Sequence, residues 1–371
     1  MAGKIKGLLV FGTRPEAIKM CPLVKELKTR DWIETRVCVT GQHKEMLQQV
    51  LDIFGIVADY NLLIMKPEQT LFDVTVSTLN RIKVTLEGYL PDIVFVHGDT
   101  TTAFTTSLAC YYLQIPIVHI EAGLRTYNML SPFPEEYNRQ SIGLVARYHF
   151  APTAQARNNL IKEGKNSNHI FVTGNTGIDA LKATVREDYR HKYLDWANGS
   201  RLLMVTAHRR ENLGEPMHGM FRAIRRIVED YPDIKVIYPV HMNPAVYDIA
   251  NSELSGCNRI KLIKPLNAFD FHNFMYRSYF ILTDSGGIQE EAPFLGKPVL
   301  VMRDTTERPE GIAAGTLKLV GTDEQSIYDA CKLLLEDKNE YNRMASAQNP
   351  YGDGNASIMI ADILEHELLH S

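Results

Sequence analysis

Short apolar runs with almost no polar break recur along the whole chain, each separated from the next by room for a helix. A half-exposed strand alternates polar and apolar residues. A run that is apolar throughout must be covered on both faces, which points to parallel strands joined by crossover helices. The first series reads Ile5–Phe11, Thr35–Thr40, Ile93–His97, Ile117–Ile120, His149–Pro152 and Ile170–Val172. The second reads Leu202–Thr206, Lys235–Pro239, Ile260–Ile263, Tyr279–Thr283, Pro298–Met302 and Leu317–Val320. Amphipathic stretches such as Pro22–Arg30, Glu45–Phe54, Leu71–Tyr89, Pro216–Glu229 and Glu324–Glu336 fall between them. The polar stretch 185–200 divides the two series. We expect an α/β chain of two doubly wound, Rossmann-like domains, 1–180 and 181–354, facing a cleft, with ligands outside the carboxyl ends of the strands.

A chain of 371 residues is longer than one core usually grows, in keeping with two domains. The net charge of −4 gives no basic footprint for nucleic acid. No apolar run approaches the roughly 20 residues needed to span a bilayer. Cys21, Cys38, Cys110, Cys257 and Cys331 are scattered singly, with no CxxC pair, and read as reduced thiols of a cytoplasmic protein.

The reactive side chains cluster where the strands stop. After Ile5–Phe11, Thr13 and Glu16 make a capping box, with Pro15 suited to the first helical position and Arg14 and Lys19 flanking the helix N-terminus. After Ile93–His97 comes Asp99, either a helix cap or a reactive carboxylate. Glu121 ends a buried apolar run, an unusual place for an acid, and nearby Arg125 reads as a structural ion-pair partner. Glu135 and Glu136 open a further helix, where dipole complementarity alone explains acids. In the second half, His208 follows a strand beside Arg209 and Arg210, and His241 follows another. Three carboxylates (Asp99, Glu121, Glu135) thus face a cationic set (Arg14, Lys19, His208, Arg209, Arg308). Carboxylates suit proton transfer at carbon or hydroxyl, and the cations suit a departing diphosphate.

The run Tyr279–Thr283 ends in Asp284-Ser285-Gly286-Gly287, and a helical pattern opens at Ile288. Two glycines at a strand-to-helix turn let backbone N–H groups approach a phosphate, and the helix N-terminus suits the same anion. Glu291 is placed to accept from a ribose diol, and Arg303 and Arg308 follow as mobile cations on the next loop. The turn reads as a nucleotide-diphosphate site, or as an ordinary Gly-Gly turn. No GxGxxG follows any strand, no Walker A sequence exists, and no D-x-D pair or His/Cys cluster calls for a metal. The reading is an enzyme that needs no cofactor and acts on a nucleotide-activated substrate.

The blocks GTRPEAIK (12–19), TGQH (40–43), VHGDTTT (96–102), HIEAGLRT (119–126), SPFPEEYNRQ (131–140), VTGNTGIDAL (172–181), TAHRRENLGEP (206–216), YPVHMNP (238–244), LTDSGGIQEEAPFLGKPVLVMRDTTERPEG (282–311) and NPYGDGNAS (349–357) carry a resemblance over essentially the whole chain. The sequence resembles the non-hydrolysing bacterial UDP-N-acetylglucosamine 2-epimerases. The resemblance implies a glycosyltransferase-B-like fold, with a C-terminal helix in 355–371 returning to the first domain. It implies reversible epimerisation at C2 to UDP-N-acetylmannosamine, by elimination of UDP to a 2-acetamidoglucal and re-addition, without cofactor or metal. The product would supply N-acetylmannosamine units for cell-surface polysaccharide, and the protein would be a cytoplasmic homodimer. By position, Asp99, Glu121 and Glu135 are the acid/base candidates and His208 assists near the diphosphate. Arg14, Lys19, Phe271, Ser285, Gly286, Gly287, Glu291 and Arg308 would bind the substrate, Phe271 on the uracil side.

The match departs from the family in places. Leu266 stands where some relatives carry glutamine. Bacterial members can hold a second UDP-N-acetylglucosamine in a regulatory pocket, and Gln42, Glu135, Arg209 and His241 fit it, whereas Glu45 and Glu68 replace an expected glutamine and arginine. Other classes remain open at this point. A retaining glycosyltransferase shares the fold but needs no three acids in its first domain. A hydrolysing 2-epimerase would release free N-acetylmannosamine. A related sugar-nucleotide 2-epimerase would act on a modified sugar. A silent sugar-nucleotide sensor would keep the nucleotide turn without the acids.

Overall fold

The computed structural model describes residues 3–41, 44–66, 68–306 and 308–370, with the backbone alone at 44–46 and 210. The chain divides into two compact units, residues 1–183 with 351–371, and residues 184–350. In the first, β1 (Ile5–Phe11), β2 (Ile33–Val39), β3 (Tyr60–Asn61), β4 (Ile93–His97), β5 (Ile117–Ile120), β6 (Tyr148–Ala151) and β7 (Ile170–Val172) form one sheet in the order β3-β2-β1-β4-β5-β6-β7. In the second, β8 (Arg201–Thr206), β9 (Ile234–Pro239), β10 (Ile260–Ile263), β11 (Phe280–Thr283), β12 (Val299–Val301) and β13 (Leu317–Leu319) run in the order β10-β9-β8-β11-β12-β13. Every pairing is parallel, as the unbroken apolar runs require. In each sheet the order reverses beside the first strand, β1 or β8, and that switch point is where doubly wound sheets bind ligands.

Helices cover both faces of the first sheet. On one, α1 (Arg14–Lys28) and α2 (Lys44–Phe54) share a core with the C-terminal helix Ala356–Leu369, which contributes Ile360, Ala361 and Leu364. On the other lie α3 (Leu71–Tyr89), α4 (Thr101–Tyr112) and α5 (Glu135–Val145). The second unit has one continuous core around β8, β9, β11 and the helix Glu215–Asp230.

The first helix begins at Arg14, behind the Thr13–Glu16 capping box read from the sequence, and the amphipathic stretch from Pro22 is its continuation. Pro15 is accordingly its second residue, where a missing N–H still costs nothing. The two-residue β3 was not foreseen, since a strand of that length carries no periodicity.

Gly12, between β1 and α1, shows a close approach: a Cβ there would lie 2.0 Å from Oγ1 of Thr40. The loop is drawn in further by buried Glu16, whose Oε2 accepts from the N–H of Gly12 at 3.0 Å and of Thr13 at 2.8 Å. Its Oε1 accepts from Thr100 Oγ1 at 2.7 Å, stapling the loop after β1 to the loop after β4. Among the described residues no helix is long and apolar enough to cross a membrane.

Candidate active site

In the first unit the acids meet at adjacent strand ends. Asp99 follows β4 through Gly98, which turns the chain at φ +63°. Asp99 is not the helix cap: Thr100 caps α4, its side chain accepting from the N–H of Ala103. The Asp99 carboxylate is free for another partner and takes Arg139 of α5, with Nε at 3.0 Å and Nη2 at 2.5 Å, both on Oδ2. Burial pushes the Asp99 carboxyl above the ordinary carboxylate range, Arg139 opposes it, and the negative charges of Glu121 and Glu135 add to the rise. Two of the carboxylates singled out from sequence, Glu121 and Glu135, therefore act electrostatically on the third, Asp99.

Glu121 follows β5 in the left-handed region, at φ +58°, a conformation that costs a non-glycine residue about 1–3 kcal/mol and is held only where surroundings impose it. Its Oε2 is bound by Nζ of Lys19, receives Nδ2 of Asn175 at 3.1 Å, and lies 3.7 Å from Nε2 of buried His97. Lys19, expected at the nucleotide, thus answers the acid that ends the apolar strand. Burial holds His97 down to about 4, with Glu121 opposing, so the ring is neutral at pH 7.

Arg125 proves structural: its side chain is fully buried against Glu163, 2.6 Å away. Glu135 and Glu136 also divide. Glu136 is fully buried and accepts from the N–H groups of Thr126 and Tyr127, both at 3.0 Å, and from Gln140 at 2.7 Å. Burial works to raise its carboxyl, but these donors and Arg139 leave it below the usual value. Glu135, one residue earlier, is half-buried. Arg14 opens α1, and burial holds its guanidinium below the ordinary value.

In the second unit Ser285 precedes the helix Gly286–Phe294, so both glycines lie in its first turn. A Cβ on Gly286 would sit 3.2 Å from the guanidinium carbon of Arg308. The missing side chain lets that cation rest on the helix N-terminus, and two positive features side by side call for an anion. Arg308 is not a mobile cation, since Glu290 holds its Nε at 2.8 Å, and Arg303 is buried. Glu291 and Phe271, on the helices Gly286–Phe294 and Ala268–Arg277, are half-buried. His208 stacks on His241 at 5.5 Å between centroids. Buried Asp284 accepts from the N–H groups of His208 and Arg209, each at 2.8 Å. Gln42 lies outside the described residues. Among those described, no group of three or more His, Cys, Asp or Glu could hold a metal ion.

The family model for UDP-N-acetylglucosamine 2-epimerase matches residues 25–365. The chain belongs to the UDP-N-acetylglucosamine 2-epimerase family. Within it, a Bacillus subtilis (strain 168) protein of that name is 58% identical over 361 residues, covering 97% of this chain and 95% of the relative. An epimerase of this family from Neisseria meningitidis, solved bound to UDP-GlcNAc, is 47% identical with a TM-score of 0.88, covering 97% of this chain and 99% of that one. The S. aureus protein MnaA, solved with UDP, is 48% identical with a TM-score of 0.90 over 98% of this chain and 97% of that one. The two-unit α/β architecture is the glycosyltransferase-B-like fold of these epimerases.

The predicted residues therefore form two groups. Asp99, Glu121, Glu135 and Lys19 gather in the first unit, while His208, Arg209 and His241, and the turn bearing Ser285, Gly286, Gly287, Glu291 and Arg308, belong to the second. Sequence reasoning missed His97, Asn175, Arg139 and Asp284 as site residues. Each lies inside a quoted block, but nothing in residue type or spacing separates it from its neighbours; contact across the sheet does.

Proposed function

We propose that this chain interconverts UDP-N-acetylglucosamine and UDP-N-acetylmannosamine without hydrolysing them. Carbon 2 has no adjacent carbonyl, so its proton cannot leave to a stabilised carbanion. In the reading offered here a carboxylate takes that proton, the C2–H electron pair forms the C1=C2 bond, and the C1–O bond breaks with its pair going to UDP. Re-addition of UDP at C1, with a proton delivered to the other face of C2, completes the inversion.

The observation that carries this is that Glu121 and Glu135 both bear on Asp99, a grouping of three acids in a chain of this family. Proton transfer on both faces of one carbon needs more than one such group. Arg14, Ser285, Gly286, Gly287, Glu291, Arg308 and Phe271 are assigned to the nucleotide, Lys19 and His208 to the diphosphate side. Glycines beneath Arg308 at a helix N-terminus supply the features that a leaving diphosphate requires. A retaining transferase or a silent sensor would have no use for the acids.

Free cysteines throughout suit the cytoplasm. The exposed Phe72 and Val76 of α3, Tyr111 and Tyr112 of α4, and Tyr137 and Leu144 of α5 support a homodimer. The product would feed cell-surface polysaccharide synthesis.

Incubation with UDP-N-acetylglucosamine in deuterated water, read by NMR, tests the reaction. The expected product is UDP-N-acetylmannosamine deuterated at C2, with no added NAD or metal. Free N-acetylmannosamine as the main product, or a need for NAD, would overturn the reading.

A further inference from the structure

Asp99 is gripped twice by one helix. Asn138 Nδ2 of α5 donates to the Asp99 carbonyl at 2.9 Å, and the adjacent Arg139 takes the side chain. Both guanidinium contacts fall on the same oxygen, Oδ2. A side-on pair made for stability alone uses both carboxylate oxygens, one N–H each. Here the fork spends both donors on Oδ2, and among the described residues Oδ1 has no hydrogen-bond partner. The Asp99 side chain keeps a quarter of its surface open, at 24%.

Arg139 is itself fixed. Its Nη1 lies 3.3 Å from Oε2 of Glu136, the buried carboxylate anchored by Thr126, Tyr127 and Gln140. A cation held from behind by a buried anion cannot swing away, so the Glu136–Arg139 pair behaves as one rigid bracket on α5.

We infer that Arg139, braced by Glu136, is a positioning residue that favours the charged form of Asp99 and presents its Oδ1 as the atom that accepts the substrate proton. This rests on the reading of Asp99 as a proton-transfer group. The proton from C2 bonds to Oδ1, the C2–H pair forms the C1=C2 bond, and the C1–O pair leaves with UDP. The protonated Asp99, still held through Oδ2, keeps Oδ1–H aimed for the reverse reaction, while a second acid delivers the proton to the opposite face of C2.

Other groups also bear on Asp99. Glu121, after β5, and Glu135, at the start of α5, raise its carboxyl together with burial, and Arg139 lowers it. Lys19 of α1 and His97 of β4 act on Glu121, while Glu16 accepts from Thr100, the residue next to Asp99. Loss of the Arg139 charge therefore leaves burial and two anions unopposed.

The test is the pH dependence of epimerisation in Arg139→Gln, with Asp99→Asn as comparator. In Arg139→Gln the acid limb of kcat/KM should move up by about one pH unit or more. Added guanidinium chloride at tens of millimolar should restore part of the rate, and UDP affinity by calorimetry should stay within about threefold. A folded Arg139→Gln whose acid limb is unmoved and whose rate guanidinium does not restore overturns the inference. If that variant does not fold, Arg139→Lys carries the test: the charge stays and the fork is lost, so kcat should fall about tenfold with the limb unmoved, and a wild-type kcat overturns the inference. Wild-type turnover in Asp99→Asn would overturn the reading of Asp99 itself. A crippled Asp99→Asn beside an unmoved limb in Arg139→Gln fails the inference alone.

Discussion

Oδ1 of Asp284, fully buried, lies 3.5 Å from Nδ1 of His208. The other oxygen takes the backbone N–H groups of His208 and Arg209 at 2.8 Å and Nδ2 of Asn212 at 3.3 Å. One carboxylate thus ties down the main chain at His208 and Arg209 and sets its second oxygen beside the His208 ring.

Asp284→Asn keeps the shape and removes the charge. Burial already holds His208 below the ordinary imidazole range, with Asp284 pulling it back up, so the ring should titrate lower still in the variant. Turnover should drop by roughly tenfold or more, as for loss of an orienting partner. NMR titration of His208 measures the first, and an unchanged midpoint would refute the coupling.

Asp99→Asn, Glu121→Gln and Glu135→Gln each remove a proton-transfer group at constant shape. Turnover should fall by roughly 10²–10⁴-fold in each. Glu291→Gln should instead raise KM with little change in kcat, because a ribose contact is the same before and at the transition state. Steady-state kinetics decide it: abolished turnover at unchanged KM in Glu291→Gln would reverse the assignment.

Three histidines on adjacent strands are buried: His97 on β4, His119 on β5 and His149 on β6. Burial holds them at about 4, 3 and 4, against 6.5 unfolded. Below pH 6.5 the unfolded chain therefore binds protons that the folded chain refuses. Stability should be full above about pH 6.5 and fall as the pH drops toward 4, by up to about 3 kcal/mol per group. The carboxyls of Asp99 and Glu16, raised mainly by burial, work in the opposite sense. Denaturant melts at pH 7 and pH 5 should show a shallower loss in His119→Gln than in the parent, and an equal loss would exclude this source.

Glu68 is exposed in a turn at φ +52°, at the position where the resemblance leads one to expect arginine in a regulatory pocket. Exchanging arginine for glutamate changes the local charge by two units against a second diphosphate. Even ~1.4 kcal/mol remaining after screening is a tenfold loss of affinity. Rate against UDP-N-acetylglucosamine should be close to hyperbolic, and UDP-N-acetylmannosamine should react without added UDP-N-acetylglucosamine. A sigmoidal curve would show a working second site.

Periodicity located the elements well because it reports local physics. Ile5–Phe11, Ile93–His97, Ile117–Ile120 and Ile260–Ile263 are strands at the limits that their apolar runs suggest. The start of α1 was legible from the Thr13–Glu16 capping box rather than from periodicity, whose amphipathic stretch opens at Pro22. In the second unit, the strand-to-helix turn Asp284-Ser285-Gly286-Gly287 was legible because it is contiguous in sequence.

By itself the sequence determined the parallel α/β class, the strand-end positions of the acids and the Gly-Gly turn, since each depends on residues a few positions apart. Tertiary structure alone decided that Asp99 answers to Arg139 rather than capping α4, that Glu121 is held by Lys19 and Asn175, and that of two adjacent glutamates Glu136 is the buried anchor. These pairings join residues as far as 102 positions apart. They arise only when parallel strands bring their carboxyl ends side by side, and no local propensity encodes which charge will meet which.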